Sequence, residues 1–129
     1  MPPILNVNAI DHINMSVKDL EKSVRFYREV FGFEIKEDQS KDASYIIGNA
    51  HVKLCLYEDK NLHVKEGLNH FGFHIENFDE IISRCKEMGV PVSYDGAIEW
   101  KNPARSKSIY ITDPSGYVIE LSNLPGGGL

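Results

Sequence analysis

The chain has 129 residues, with 14 Lys and Arg against 19 Asp and Glu and a formal net charge of −5. That length supports one hydrophobic core without disulfide or metal staples, and 42 % hydrophobic with 26 % charged residues excludes a disordered chain, a coiled coil and a collagen-like repeat. The acidic balance argues against nucleic acid as a partner, and no apolar run approaches the ~20 residues that span a bilayer. The opening Met1-Pro-Pro-Ile-Leu-Asn6 has neither a charged n-region nor an apolar h-region, so no secretory leader is expected. Cys55 and Cys85 make no disulfide framework and read as reduced thiols of a cytoplasmic protein.

In chain order, Ile13, Met15 and Val17 alternate with His12, Asn14 and Ser16, the period-two pattern of a strand with one apolar and one polar face. A helix follows, with Asp19 as the expected N-cap, Glu21 in the first turn and Gly32 at its C-terminal cap. Leu20, Val24, Tyr27, Val30 and Phe31 form its apolar stripe. Ser44-Tyr-Ile-Ile-Gly48 and a strand through Leu56 complete a first module, about residues 8–58, and segment 58–68 reads as a linker. The pattern then repeats, with His70 standing 58 residues after His12. Phe71, Phe73 and Ile75 share one strand face; His70, Gly72 and His74 share the other. The second helix is expected to be capped by Asn77 with Glu80 three residues on, to carry the stripe Phe78, Ile81, Ile82, Cys85 and Met88, and to end at Gly89. Segment 95–107 reads as a long loop. Ser108–Gly116 echoes the first module from Ser44, and the last strand puts Tyr117, Ile119 and Leu121 on one face and Val118, Glu120 and Ser122 on the other. Pro125–Leu129 reads as a flexible tail. The expectation is therefore an α+β fold of paired βαβββ modules within one domain, residues 1–129, the second module spanning about 68–123.

Two histidines in repeat register on polar strand faces, joined by a carboxylate on the polar face of the last strand, are a sufficient donor set for a divalent metal with open positions. His12, His70 and Glu120 are accordingly the candidate ligands, and their nitrogen and oxygen donors do not separate Mn, Fe, Ni and Zn. The loop Lys101-Asn-Pro-Ala-Arg105-Ser-Lys107 is a local cationic patch in an acidic chain, suited to drawing an anionic small molecule. Tyr110, His74 and Lys101 are the candidate catalytic residues. Trp100 reads more readily as a packing or dimer contact than as a pocket wall, while His51 and His63 have no comparable context.

These motifs resemble the vicinal oxygen chelate superfamily, which includes glyoxalase I, fosfomycin-resistance enzymes, extradiol dioxygenases and bleomycin-resistance proteins. The carrying residues are Asp11-His12-Ile-Asn-Met-Ser-Val17, Leu68-Asn-His70-Phe-Gly-Phe-His-Ile75, and Ser108-Ile-Tyr110 through Asp113-Pro-Ser-Gly116 to Glu120-Leu121. The resemblance implies paired βαβββ modules in a curved mixed sheet that cups a metal, His12, His70 and Glu120 at the ligand positions, and a homodimer whose site is built across two subunits. Bacterial-type glyoxalases add a fourth ligand near the end of the first module, and Leu54 is expected at that position. Extradiol dioxygenases place a catalytic histidine where this chain has Lys101, Asn102 and Pro103. Leu54-Cys-Leu56, Asn69-His70-Phe71, Glu99-Trp-Lys101-Asn and Ser108-Ile-Tyr110 are similar to fosfomycin-resistance segments, although Asn14 stands where threonine is usual and a glycine tail replaces an arginine-bearing extension. The implied function is a divalent-metal-dependent enzyme acting on a small oxygen-chelating substrate by isomerisation or thiol addition, with a possible thiol co-substrate. An extradiol dioxygenase and a metal-free bleomycin-resistance-like binding protein are the alternatives.

Overall fold

A computed structural model describes residues 5–64 and 67–128. The chain divides into two compact units, Met1–Leu62 and His63–Leu129. Each carries its own four-stranded mixed sheet, in keeping with the expected α+β pairing of modules. Among the described residues no helix is long and apolar enough to cross a membrane.

The first unit runs β1 (Ile13–Val17), α1 (Leu20–Phe31), β2 (Glu34–Gln39), β3 (Ser44–Gly48) and β4 (Lys53–Glu58), in sheet order β1-β4-β3-β2. The β1–β4 pair is parallel and the other two are antiparallel. Helix α1 starts where expected, because the Asp19 side chain accepts a hydrogen bond from the Lys22 backbone N–H and satisfies one of the free donors of the first turn. It stops at Gly32, whose left-handed φ of 68° suits a residue without Cβ. Leu20, Val24 and Tyr27 are buried with Met15, Val17, Leu54 and Leu56, so the apolar faces of helix and sheet form this unit's core. At the β3–β4 turn a Cβ on Gly48 would run into the Val52 carbonyl, and the Asn49 side chain accepts from the backbone N–H groups of His51 and Val52.

The second unit runs β5 (Phe71–His74), α2 (Ile81–Met88), β6 (Ile98–Glu99), β7 (Lys107–Thr112) and β8 (Val118–Ser122), in order β5-β8-β7-β6. The parallel β5–β8 pair and antiparallel β7–β8 pair reproduce the first unit's pairing. Ile109, Ile111, Ile119 and Leu121 are fully or almost fully buried, with Phe78 and Cys85 on the helical side. Three expectations need correction here. Asn77 makes no side-chain cap; a 3₁₀ turn over Phe78–Glu80 precedes α2, so its first donors are met by backbone geometry instead. The 95–107 loop contains β6, whose Ile98 and Glu99 pair with Ser108 and Lys107. The glycine tail takes a 3₁₀-like turn over Pro125–Gly128, in which the Gly127 N–H donates to the Leu124 carbonyl at 3.1 Å.

The β7–β8 connection positions the site. Asp113 Oδ1 accepts from the backbone N–H groups of Ser115, Gly116 and Tyr117, which closes the Asp-Pro-Ser-Gly turn tightly. That closure fixes the register in which Tyr110 faces Glu120 across the strands.

Candidate metal centre and adjoining cavity

Period-two alternation on β8 buries Ile119 and Leu121 and leaves Glu120 on the opposite face. Three side chains converge on its carboxylate. Ser108, fully buried on β7, donates to Oε2 at 2.6 Å; the Tyr110 hydroxyl donates to Oε1 at 2.9 Å; His70 Nε2 lies 2.9 Å from the same Oε1. Burial is the largest influence on this carboxyl and raises its pKa, but the bonds from Ser108, Tyr110 and His70 together outweigh it and hold the pKa below the ordinary glutamate value. Glu120 is therefore an ionised, oriented oxygen donor at neutral pH. Tyr110 moves the other way: burial first, then the hydrogen bond and charge of Glu120, push its phenol up to about 12. It remains a protonated donor across the physiological range.

His70 lies one residue before β5, and its Nδ1 is 2.7 Å from Asn69 Oδ1. The other ring nitrogen, Nε2, faces the Glu120 carboxylate. The 2.9 Å between Nε2 and Oε1 is an ordinary hydrogen-bond length, and it sets an imidazole nitrogen and a carboxylate oxygen close enough that the two would serve one cation together. An oriented imidazole whose other nitrogen is hydrogen-bonded is the usual surrounding of a metal-binding histidine. His12 has the same local device in the first unit, its Nδ1 2.7 Å from Asp11 Oδ2. Among the described residues no three His, Cys, Asp or Glu side chains form one metal-holding group, so the structure itself brings together the pair His70 and Glu120.

The strand registers correct one sequence expectation. Asn14 pairs with Cys55 as Gly72 pairs with Glu120, so the first-unit counterpart of Glu120 is Cys55, not Leu54. The leucine points into the core, fully buried, as its register neighbours require. By the same correspondence Ile46 matches Tyr110 and Ser44 matches Ser108.

A cavity of about 680 Å³ opens beside Glu120 within the second unit. His74 and Lys101 line it; Tyr110 does not, and its ring stands edge-on to His70 with centroids 5.4 Å apart. Trp100 also lines the cavity, 39 % exposed, and its Nε1–H donates to Ser108 at 2.9 Å. It is thus a wall of the site and the outer support of the Ser108–Glu120 bond, a role its sequence context did not reveal. Gly72 forms part of the floor because a Cβ there would approach the Glu120 carbonyl oxygen to 3.2 Å.

Comparison with known proteins places this arrangement. Residues 9–121 match the family model described as Glyoxalase/Bleomycin resistance protein/Dioxygenase superfamily. The chain is 32 % identical over 124 residues to the fosfomycin resistance protein FosX of Listeria monocytogenes, covering 89 % of each chain. It is 29 % identical over 120 residues to the metallothiol transferase FosB of Staphylococcus saprophyticus, covering 89 % of this chain and 76 % of that one. The crystal structure of a lactoylglutathione lyase from Agrobacterium tumefaciens superposes with a TM-score of 0.71 at 26 % identity, covering 95 % of both chains. Its sequence motifs, its repeated strand pairings and these matches agree: the chain belongs to the glyoxalase, bleomycin resistance protein and dioxygenase superfamily.

Proposed function

We propose that this protein is a divalent-metal-dependent enzyme of the fosfomycin-resistance branch of its superfamily, with His12, His70 and Glu120 as metal ligands. The observation that supports this most directly is the ionised Glu120, held by two hydroxyl donors with an oriented imidazole nitrogen 2.9 Å away. The substrate is a small molecule presenting one or two oxygens, and the favoured reaction is addition of a thiol, in keeping with the named activity of the metallothiol transferase relative. Isomerisation is the second reading, favoured by the likeness to a lactoylglutathione lyase.

The bound ion would supply Lewis-acid polarisation of the substrate oxygens. In this reading His70 and Glu120 of one subunit would hold it together with a His12 supplied by a second copy of the chain, in a composite homodimer site. Tyr110 keeps its proton and fixes the carboxylate. Lys101 draws an anionic group into the cavity, and His74 moves a proton at the cavity floor. Mn, Fe, Ni and Zn all suit these donors.

Metal analysis of tag-free protein grown under metal-replete conditions tests the proposal. Near-stoichiometric metal that falls to background in His70→Ala supports it. Wild-type protein with no metal above background overturns it. Mixing His12→Ala with His70→Ala chains tests the composite site, since recovery of metal is expected only if the two ligands come from different chains.

A further inference from the structure

The cavity beside Glu120 extends along β5 and β8, past Gly72 and His74 on one strand and Ser122 on the other. Each of these steps of two residues advances about 6.6 Å. Across from the strands stand Trp100 and Lys101, and the end wall is the glycine turn.

That end wall is built. The Lys107 backbone N–H donates to Asn123 Oδ1 at 2.8 Å, and the Asn123 N–H donates to the Lys107 carbonyl at 3.1 Å. Gly128 lies so close to the preceding loop that a Cβ would come within 3.0 Å of Ser106 Cβ and 3.3 Å of Ala104 Cβ. Gly126 and Gly127 place no side chain in the space they bound. The tail is therefore seated on the loop, and the cavity between them stays open.

Most polar groups on the wall are already committed. Trp100 Nε1–H is bonded to Ser108, the Asn102 side chain both donates to and accepts from Ser106, and the Ser122 hydroxyl donates to the Leu124 carbonyl. Satisfied groups of this kind present little demand to a ligand. Among the described residues, His74 and Lys101 line the cavity with no hydrogen-bond or ion-pair partner. Fixed charge in the lining consists of one ammonium and the carboxylate of Glu120. A compact dianion would leave most of the volume empty and find a single cation, whereas tight dianion recognition uses several charged donors. The volume instead lies in the ~300–1,000 Å³ range of ligands with a sizeable apolar body.

We propose that this cavity binds the body of an elongated monocarboxylate, its apolar or aromatic part between Trp100 and the glycine turn, its carboxylate on Lys101, and His74 as a second polar anchor. The direction of the ligand, with an oxygen-bearing end toward Glu120, rests on the metal reading above; occupancy of the cavity does not.

Trp100 is the only tryptophan of the chain and lines the cavity, so its fluorescence reports occupancy. Chelator-treated full-length protein is titrated with 3-phenylpropanoate, 3-phenylpropan-1-ol and methylphosphonate. The expected result is a saturable Trp100 signal with the carboxylate, and binding weaker by at least about 10-fold for the alcohol and for the phosphonate. Lys101→Met should weaken the carboxylate by about 10-fold and leave the alcohol unchanged, while Lys101→Arg should stay within about 3-fold of wild type. Lys101 is exposed, so both variants should fold, as circular dichroism would verify. Equal binding of the alcohol, tighter binding of the phosphonate, indifference to Lys101→Met, or no signal up to ~10 mM carboxylate overturns the proposal. Because the metal is removed beforehand, failure here leaves the metal reading intact, and failure of metal binding leaves this cavity result intact.

Discussion

Replacing Ser108 by Ala removes the shortest contact to the Glu120 carboxylate, 2.6 Å, and the acceptor of the Trp100 Nε1–H. A hydrogen bond to a charged group contributes about 1.5–3 kcal/mol. Glu120 retains Tyr110 and His70, and 20 % of its side-chain surface meets water. The lower end, about 1.5 kcal/mol at pH 7, is therefore the expected loss. The cost should depend on pH in a definite direction. The native carboxyl lies below its unfolded value, so it contributes stability above the unfolded carboxylate range and loses it as pH falls through the native pKa. Without Ser108, the burial that raises the pKa gains weight and part of that contribution disappears. As pH falls through the native pKa the group becomes protonated in both proteins, and the difference should shrink toward the ~0.5–1 kcal/mol of a neutral hydrogen bond. Urea unfolding of both proteins across this pH range, followed by Trp100 fluorescence and far-ultraviolet circular dichroism, measures it. A difference below about 0.3 kcal/mol at pH 7, or one that does not change with pH, would refute the view that Ser108 steadies an ionised Glu120.

Further expectations follow from single contacts. Tyr110→Phe should abolish the phenol that titrates at about 12, visible as loss of the highest-pH step in absorbance near 295 nm. Asp19→Ala should cost about 1 kcal/mol in urea unfolding, the typical value of a helix N-cap bonded to a backbone N–H. Gly48→Ala should cost more, about 2–4 kcal/mol, because the new Cβ meets the Val52 backbone and cannot be relieved by a rotamer change; thermal melting would show it. Cys85 should resist a disulfide exchange reagent until the protein unfolds, since burial raises its thiol pKa and shields the sulfur.

The parts of this fold legible in the sequence are those set by local chemistry. Asp19 and Gly32 announced both ends of α1 because a short side-chain acceptor and a residue free of Cβ have few other uses at those spacings. The repeat between His12 and His70 placed both histidines at the entry to a parallel pair, and the structure keeps them there. Asn77 looked equally like a cap, but a cap requires the helix to begin in α geometry, and the chain enters α2 through a 3₁₀ turn. The tail looked flexible because Gly-Gly-Gly has no side chains to pack; its seat on the loop depends on that same lack of bulk at Gly128. Leu54 was assigned by counting residues, whereas counterpart positions are defined by strand register: Asn14 meets Cys55 across β1–β4 as Gly72 meets Glu120 across β5–β8. Trp100 was hardest to read, since its partner Ser108 is found only by pairing β6 with β7.

The register correspondence also explains why only one module presents a carboxylate here. Opposite Glu120 stands Tyr110, a donor whose hydroxyl reaches it; opposite the matching Cys55 stands Ile46, which has nothing to donate. Ser44, the counterpart of Ser108, turns its hydroxyl to Gln39 instead. A carboxylate placed at Cys55 would thus be desolvated with neither hydroxyl available, and burial without donors drives such a group toward its neutral form. A thiol tolerates that setting because it behaves as a small apolar group when protonated. The chemistry of the second unit therefore resides in a set of residues rather than in Glu120 alone. The acid, its two hydroxyl donors and the Trp100 that steadies one of them are interdependent: changing any one alters the charge or aim of the carboxylate that the proposed metal would meet.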